Sequence, residues 1–311
     1  MSQVAAQAEA DLKEIRNLID SIGNIYSSPS NFKQKSVIYD WLSPFSSTSG
    51  QMLQSPRLSI FGGAYRLVDS TETDSQNFHE YVNNFVTECN KGTLKLNQLC
   101  NHANCDLRVY EMTPSHPITY TTTESSFNIE EMIRALAYGL ICVEQGTDFL
   151  AISSFGVSCE TVASAIINAH STQNDRANDV ANLNLERLLK INAAKKGFDC
   201  LLAIGGPEIA AMCGVILAAR LAGIPVLLEG MGALAALTIL SEYSEFIGQH
   251  CAITGQIAEH IVQNFSEPFI PAPYNLITAQ GNEPLCGISA ACLIPQFKND
   301  LLLEKIMGKN A

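Results

Sequence analysis

The chain has 311 residues, is 47% hydrophobic and 16% charged, and carries a formal net charge of −12, so it has enough apolar sequence for a sizeable core. This acidic balance argues against a nucleic-acid-binding protein, which needs a basic face for the phosphate backbone. No apolar run reaches the roughly 18 residues of a membrane span, and the charged first twenty residues lack the apolar centre of a signal peptide. We therefore expect a soluble, cytoplasmic protein.

The amino-terminal part of the sequence predicts helix followed by irregular chain. Residues 1–26 read as one helix, and residues 27–56 are rich in Ser and Pro, with a short helix near Val37. From residue 57 onward, short apolar strands alternate with helical segments. The predicted strands are 57–63, 105–112, 148–153, 199–206 and 224–230, and the main predicted helices are 74–90, 95–104, 128–146, 159–170, 185–197, 208–223, 231–243, 255–265 and 286–307.

This alternation predicts an α/β fold with a doubly wound, mostly parallel sheet flanked by helices. Several of the strands are apolar on both faces, as expected when helices cover both sides of a parallel sheet. We expect residues 57–255 to form a Rossmann-like core domain. Residues 1–56 and 256–311 are predicted to form a smaller helical domain, or layer, beside it.

Ten cysteines are present, and most stand in apolar segments, as is typical of reduced core residues. Cys100, His102 and Cys105 form one cluster of possible zinc ligands. A second Cys/His pair at suitable spacing is missing from the sequence, so we expect no metal site. Cys159 has no histidine close to it in sequence, and we do not expect it to be a catalytic thiol.

Ligands of open α/β sheets bind beyond the carboxyl ends of the strands. Three predicted strand ends carry suitable residues, in the segments ISSFGVSCET, IGGPE and LEGMGA. The chain contains neither a GxGxxG dinucleotide fingerprint nor a GxxxxGK[ST] phosphate loop. A generic dinucleotide-binding enzyme is therefore the weakest of the functions considered.

The IGGPE segment is predicted to form a turn between a strand and a helix. Gly205 and Gly206 permit a sharp turn and close approach of the backbone to a ligand. Pro207 suits the first helical position, and Glu208 in the first turn is favoured by the helix dipole. The same four residues also make a good structural turn, so ligand contact and a purely structural role both stay open.

The SSFGVSCET segment is rich in hydroxyl groups and opens a helix. Ser153, Ser154, Ser158 and Thr161, with the local backbone N–H groups, are suited to hold a phosphate. Ordinary capping of the helix is the alternative explanation of the same residues.

Residues 201–237, LLAIGGPEIAAMCGVILAARLAGIPVLLEGMGALAAL, resemble the nicotinate-nucleotide:dimethylbenzimidazole phosphoribosyltransferase family. A weaker resemblance extends over residues 80–300. It implies a doubly wound α/β domain with a smaller helical domain, assembled as a homodimer. It also implies transfer of the phosphoribosyl group of nicotinate mononucleotide to a benzimidazole-type base, in cobamide lower-ligand synthesis, without a cofactor or metal.

The family uses a glutamate before its terminal helix as the catalytic base, and Glu283 is the acid in that loop here. The substrate-binding residues that the resemblance and the strand ends imply are Gly205, Gly206, Pro207, Glu208, Ser154, Gly156, Ser158, Thr161 and Gly230.

Several residues differ from the family pattern at ligand positions. Ala64 and Tyr65 stand in place of an Asp-His pair, and Glu160 adds negative charge where a phosphate is expected. Two hypotheses therefore stay open. One is an active pentosyltransferase acting on a nucleotide and an aromatic base. The other is a catalytically degenerate relative that binds a ligand or serves as the partner subunit of an active paralogue.

Overall fold

The computed structural model describes residues 3–23, 37–45, 53–66, 72–113, 116–120, 125–170, 190, 192–272 and 286–307. The strands are β1 (Pro56–Arg66), β2 (Asp106–Glu111), β3 (Ile118–Thr119), β4 (Phe149–Val157), β5 (Val226–Glu229) and β6 (Cys251–Thr254). The helices are α1 (Gln3–Gly23), α2 (Val37–Leu42), α3 (Glu72–Lys91), α4 (Lys95–Ala103), α5 (Ile129–Ile141), α6 (Cys159–His170), α7 (Gly197–Ile204), α8 (Pro207–Ala222), α9 (Gly230–Ser241), α10 (Glu259–Val262) and α11 (Ile288–Met307).

The strands form one parallel sheet in the order β2-β1-β4-β5-β6, and the short β3 pairs with the end of β1. Each pairing between these strands is parallel. β1 and β4, which lie next to each other, are the longest strands. The prediction of an α/β fold with a parallel sheet flanked by helices is confirmed.

Alternate residues of the strands join two separate hydrophobic cores. In β4, Leu150 and Ile152 belong to the core under α5, α6, α8 and α9, whereas Phe149 and Ala151 belong to the core under α4 and α11. The same alternation holds in β5, where Leu228 and Leu227 point into different cores. Both faces of the sheet are therefore covered, as is typical of a parallel sheet.

Helices α5 and α8 pack with unusually close backbones. A Cβ atom placed on Gly139 of α5 would lie 1.9 Å from the carbonyl oxygen of Ala211, and one on Gly214 of α8 would lie 2.1 Å from that of Leu136. Two glycines therefore allow the helices to touch where any side chain would separate them. This contact fixes α8, whose first turn carries Glu208.

The helices of the terminal segments pack against both cores. Leu12 and Ile19 of α1 join the core under α5, whereas Trp41 of α2 and Phe297 of α11 join the other one. Among the described residues, no helix is long and apolar enough to cross a membrane. The division of the chain into a core domain and a helical domain stays a prediction.

Two predicted elements differ in the structure. Residues 199–206, predicted as a strand, are instead mostly helix α7, which ends at Ile204. The run is apolar throughout, so its composition fits a buried strand and a buried helix equally; the burial of Phe198, Leu201 and Ile204 follows helical spacing. The helix predicted over 255–265 is reduced to the single turn α10. Most of the helix predicted over 185–197 lies outside the described residues.

Candidate functional site

A cavity of about 540 Å³ opens at the carboxyl edge of the sheet, and we call it the carboxyl-edge cavity. It lies beyond the ends of β4 and β5 and between the first turns of α6, α9 and α11. The lining residues are Tyr81, Ser153, Ser154, Phe155, Gly156, Ser158, Cys159, Glu160, Thr161, Glu229, Gly230, Met231, Gly232, Gly255, Gln256, Cys286, Ile288 and Ser289.

Residues 154–161, which comprise the end of β4, Ser158 and the first turn of α6, form one wall of this cavity, and we call them the β4–α6 loop. Gly156 has a φ of +137° and Ser158 a φ of +61°, so the chain turns through conformations that most side chains avoid. A Cβ atom on Gly156 would lie 1.8 Å from the carbonyl oxygen of Gly63 on β1. The glycine therefore lets this wall lie directly against the neighbouring strand. Four predicted binding residues lie together here, namely Ser154, Gly156, Ser158 and Thr161.

The first turn of α9 forms the opposite wall. It begins at Gly230, which has a φ of +83°, and a Cβ atom on Gly232 would lie 2.0 Å from Oγ of Ser154. The turn contains no acidic residue, and the preceding Glu229 makes no side-chain capping bond to it. Its backbone N–H groups, at the positive end of the helix dipole, are thus not covered by a carboxylate of their own turn. The first turn of α6, in contrast, contains Glu160.

Glu229 ends β5 at the base of the cavity and is 4% exposed. Its Oε1 accepts the backbone N–H of Ser289 at 3.1 Å, and its Oε2 accepts that of Ala290 at 2.9 Å. Both donors belong to the first turn of α11. Burial raises the pKa of the Glu229 carboxyl to about 7, although these N–H groups act in the opposite direction.

Aromatic rings border the cavity on the α3 side. Tyr81 is 43% exposed, and its ring centroid lies 6.3 Å from that of Phe155. Phe85 packs against the same phenylalanine at 4.2 Å. Partial burial raises the pKa of the Tyr81 phenol, which therefore stays protonated at neutral pH. The site thus offers the aromatic ring surfaces of Tyr81 and Phe155 together with the hydroxyl group of Tyr81.

Residues 205–208 lie behind the cavity and are not among its lining residues. The paired glycines join α7 to α8, so the predicted strand end at this turn is wrong. Glu208 is fully buried and accepts a hydrogen bond from the hydroxyl of Tyr65. Its carboxyl lies where a Cβ of Gly63 would stand, and it also interacts with the thiol of Cys159, which does line the cavity.

Burial is the main cause of the raised pKa values in this group of side chains. It raises the pKa of Glu208 to about 7 and those of Tyr65 and Cys159 well above their ordinary values. Tyr120 stacks on Tyr65 and donates its hydroxyl to the carbonyl of Ile204 at 2.7 Å. The group therefore links the IGGPE turn to the wall of the cavity, which it reaches through Cys159.

Sequence reasoning missed three residues of this region. In the sequence, Glu229 could be identified as an acid at the end of an apolar strand, and Tyr65 as a position at which the resemblance implies a histidine. Tyr81 gave no signal, because aromatic residues at helical spacing usually indicate core. Glu283, the predicted base, lies outside the described residues.

The predicted absence of a metal site concerns Cys100, His102 and Cys105. The two thiols are hydrogen bonded to each other and buried, whereas the histidine is exposed. In the part of the chain that the structure describes, no group of three or more His, Cys, Asp or Glu side chains is placed to hold a metal ion.

A second cavity of about 530 Å³ lies at the opposite, amino-terminal edge of the sheet. Arg57 is its one described basic lining residue, and its guanidinium already binds Asp106 and Glu144, each at 2.9 Å. The carboxyl-edge cavity is therefore the better candidate for an anionic ligand.

Comparison with known proteins gives the same family as the sequence motifs. A family model described as phosphoribosyltransferase matches residues 38–274. Nicotinate-nucleotide–dimethylbenzimidazole phosphoribosyltransferases of Brucella melitensis and Brucella suis are 26% identical over 267 residues, which cover 81% of this chain and 74% of theirs.

The crystal structure of the enzyme of that name from Thermus thermophilus superimposes with a TM-score of 0.68 at 16% identity, over 93% of this chain and 94% of the other, and so supports the fold. Because the family model spans well over half of the sequence, the protein belongs to the nicotinate-nucleotide–dimethylbenzimidazole phosphoribosyltransferase family.

Proposed function

We propose that the protein transfers the 5-phosphoribosyl group of nicotinate mononucleotide to a nitrogen of a benzimidazole-type base, with release of nicotinate. The observation that carries this proposal is the carboxyl-edge cavity, where hydroxyl groups, helix amino termini and aromatic rings converge. The names of the Brucella relatives support the choice of both substrates.

The phosphate fits best against the first turn of α9. The N–H groups of that turn are not covered by an acid within it, and the hydroxyl of Ser154 lies against Gly232. A helix amino terminus binds phosphate without a cationic side chain. The first turn of α6 is the poorer site because the carboxylate of Glu160 repels an anion there.

The acceptor base fits the aromatic side of the cavity. Tyr81 and Phe155 present ring surfaces against which a flat bicyclic base can stack, and the Tyr81 hydroxyl can bond to a ring nitrogen. On this arrangement the sugar lies between α9 and α3, with the β4–α6 loop beneath it. Ser158 and Thr161 of that loop are then placed to bond the ribose hydroxyls.

The reaction exchanges one C–N bond for another. The bond from C1′ of the ribose to the nicotinate nitrogen breaks, and its electron pair leaves with nicotinate. A new bond forms from C1′ to the azole nitrogen, and the azole N–H proton passes to a carboxylate. Glu283 is three residues before Cys286 in the sequence, and Cys286 lines the cavity. We propose Glu283 as this base.

The predicted binding residues then divide into two groups. Ser154, Gly156, Ser158, Thr161 and Gly230 are proposed to contact the nucleotide. Gly205, Gly206, Pro207 and Glu208 are proposed to support the β4–α6 loop from behind, through Tyr65 and Cys159. The homodimer implied by the resemblance stays a prediction, which light scattering of the purified protein can test.

The experiment is a nicotinate-release assay with nicotinate mononucleotide and a panel of azoles. The wild-type protein should release nicotinate only when an acceptor is present. Glu283→Gln should lower kcat by about a hundredfold or more, the usual share of a general base, whereas Glu245→Gln, at an exposed site, should not. Absence of release with each acceptor, despite binding of the nucleotide, would favour the degenerate relative.

A further inference from the structure

The carboxylate of Glu229 joins two parts of the chain that meet at the cavity. It stands at the end of β5, in register with Ser153 of β4 and Thr254 of β6. Its two oxygens accept the backbone N–H groups of Ser289 and Ala290, 60 residues later in the sequence. A strand of the rigid sheet is thus tied directly to the start of the last helix.

This tie determines where one wall of the cavity lies. Cys286, Ile288 and Ser289 all line the cavity, and they come immediately before or within the turn that Glu229 holds. Gly287, with a φ of +78°, turns the chain here, and a Cβ on it would lie 2.8 Å from the side chain of Leu58. The wall is therefore closely packed on one side and held by Glu229 on the other.

The hydrogen-bonding pattern favours the ionised form of the Glu229 side chain. Two N–H groups donate to two different oxygens, and protonation would make one of those oxygens a hydroxyl, which is a donor and a poorer acceptor, so the two bonds are strongest with the anion. The positive end of the α11 dipole also favours the anion. Burial opposes ionisation, and because the pKa lies at about 7 the two forms exchange near neutral pH.

The titratable groups around Glu229 do not compete for this role. The thiols of Cys100 on α4, Cys286 before α11 and Cys292 on α11 interact with its charge. The hydrogen bond with Cys105, together with burial, raises the pKa of the Cys100 thiol, and burial raises those of Cys286 and Cys292, so all three stay neutral near pH 7. Glu160 of α6 lines the same cavity and is the other acid there among the described residues.

We propose that Glu229 is a positioning residue whose ionised carboxylate holds the 286–289 wall of the carboxyl-edge cavity in place, and whose protonation releases that wall. The consequence for catalysis rests on the proposed function, because the same wall leads back along the chain to Glu283. The effect on the wall itself does not depend on which reaction the protein performs.

Hydrogen exchange tests the wall directly. Amide protection of residues 286–292 is measured by mass spectrometry from pH 5.5 to 8.5 and corrected for intrinsic exchange. In the wild type, protection should fall about tenfold below pH 7, the change that the loss of about one hydrogen bond produces. Glu229→Gln, which has one acceptor oxygen instead of two, should give low protection at every pH. Glu245→Gln is the matched control with the same change of charge and should behave as the wild type.

Activity gives the second readout. Glu229→Gln should raise KM for nicotinate mononucleotide and remove the rise in kcat/KM between pH 6 and 8. Glu229→Asp, which keeps the charge on a shorter side chain, should restore part of that rise. Protection that does not vary with pH in the wild type overturns the proposal, as does unchanged protection in Glu229→Gln. If that variant does not fold, the pH dependence of amide protection in the wild type tests the proposal by itself. Failure to release nicotinate counts against the proposed function and leaves the exchange result valid.

Discussion

The hydroxyl of Tyr65 on β1 donates a hydrogen bond to the carboxyl of Glu208 on α8, and both side chains are fully buried. The carboxyl takes the space above Gly63 that any larger residue would fill. Burial raises the pKa of Glu208 to about 7, although the hydrogen bond from Tyr65 acts in the opposite direction.

The first prediction concerns this hydrogen bond. Tyr65→Phe removes the donor and leaves a buried carboxyl oxygen without its partner, so the free energy of unfolding should fall by about 1–3 kcal/mol. The loss should be greater at pH 8 than at pH 5, because the ionised carboxylate depends more on the donor. Urea unfolding at the two pH values measures it.

Tyr138→Phe is the control for that substitution, since its hydroxyl lies on a ring that is partly exposed on α5. We expect it to change stability by less than about 0.5 kcal/mol. An equal loss in both variants, or a Tyr65→Phe loss that is larger at pH 5, would contradict the assignment.

The second prediction follows from the raised pKa of Glu208. The folded protein holds its proton up to about pH 7, whereas the unfolded chain releases it near pH 4.5. Between these values the folded state binds more protons than the unfolded chain. The contribution of Glu208 to the free energy of unfolding is therefore greatest below about pH 4.5 and falls as the pH rises toward 7. The cost for one such group is on the order of 3 kcal/mol.

Glu208→Gln should reduce this slope, because an amide does not ionise. Part of the slope should remain, since Glu229 has a raised pKa of similar size. The measurement is the free energy of unfolding in urea at intervals between pH 4.5 and 8. A Gln variant with the full wild-type slope would show that Glu208 does not titrate in this range.

The third prediction uses the contact between α5 and α8. Gly139→Ala should stabilise an isolated helix by about 0.5–1 kcal/mol, but here the methyl group would lie 1.9 Å from the carbonyl oxygen of Ala211. The helices must separate, so we expect a net loss of about 1–3 kcal/mol. Thermal and urea unfolding give the sign, and any increase in stability would contradict the close contact.

The fold was predictable because its strands are apolar on both faces and alternate with helices. α7 was not, since in the run from Phe198 to Ile204 a helix and a strand bury nearly the same side chains. Hydrophobic periodicity cannot distinguish a helix from a strand over these seven residues. The prediction of a strand there also placed Gly205 and Gly206 at a strand end, although they join two helices.

The candidate site was predictable where it follows from local chain geometry. Ser154, Gly156, Ser158 and Thr161 lie in one loop, so their grouping could be inferred from the sequence. The contact of Glu229 with Ala290 joins residues 61 positions apart. Such a contact depends on how the last helix packs on the sheet, and no short motif records it.

The final prediction tests the proposed phosphate site. A methyl group on Gly232 would lie 2.0 Å from Oγ and 2.9 Å from Cβ of Ser154, so Gly232→Ala must displace that side chain or the first turn of α9. We expect the affinity for nicotinate mononucleotide, measured by calorimetry, to fall about tenfold, which corresponds to 1.4 kcal/mol.

The double variant Ser154→Gly with Gly232→Ala shows whether this contact is the cause. Ser154→Gly removes both of the nearest atoms, so in the double variant the nearest remaining atom to the methyl group is Cε of Met212, at 3.3 Å. The double variant should therefore bind the nucleotide more tightly than the sum of the two single losses predicts, because the effects of substitutions at residues in contact do not add. Strictly additive losses of binding free energy would mean that Gly232 affects nucleotide binding independently of Ser154. An affinity equal to that of the wild type in Gly232→Ala would mean that the phosphate binds elsewhere in the cavity.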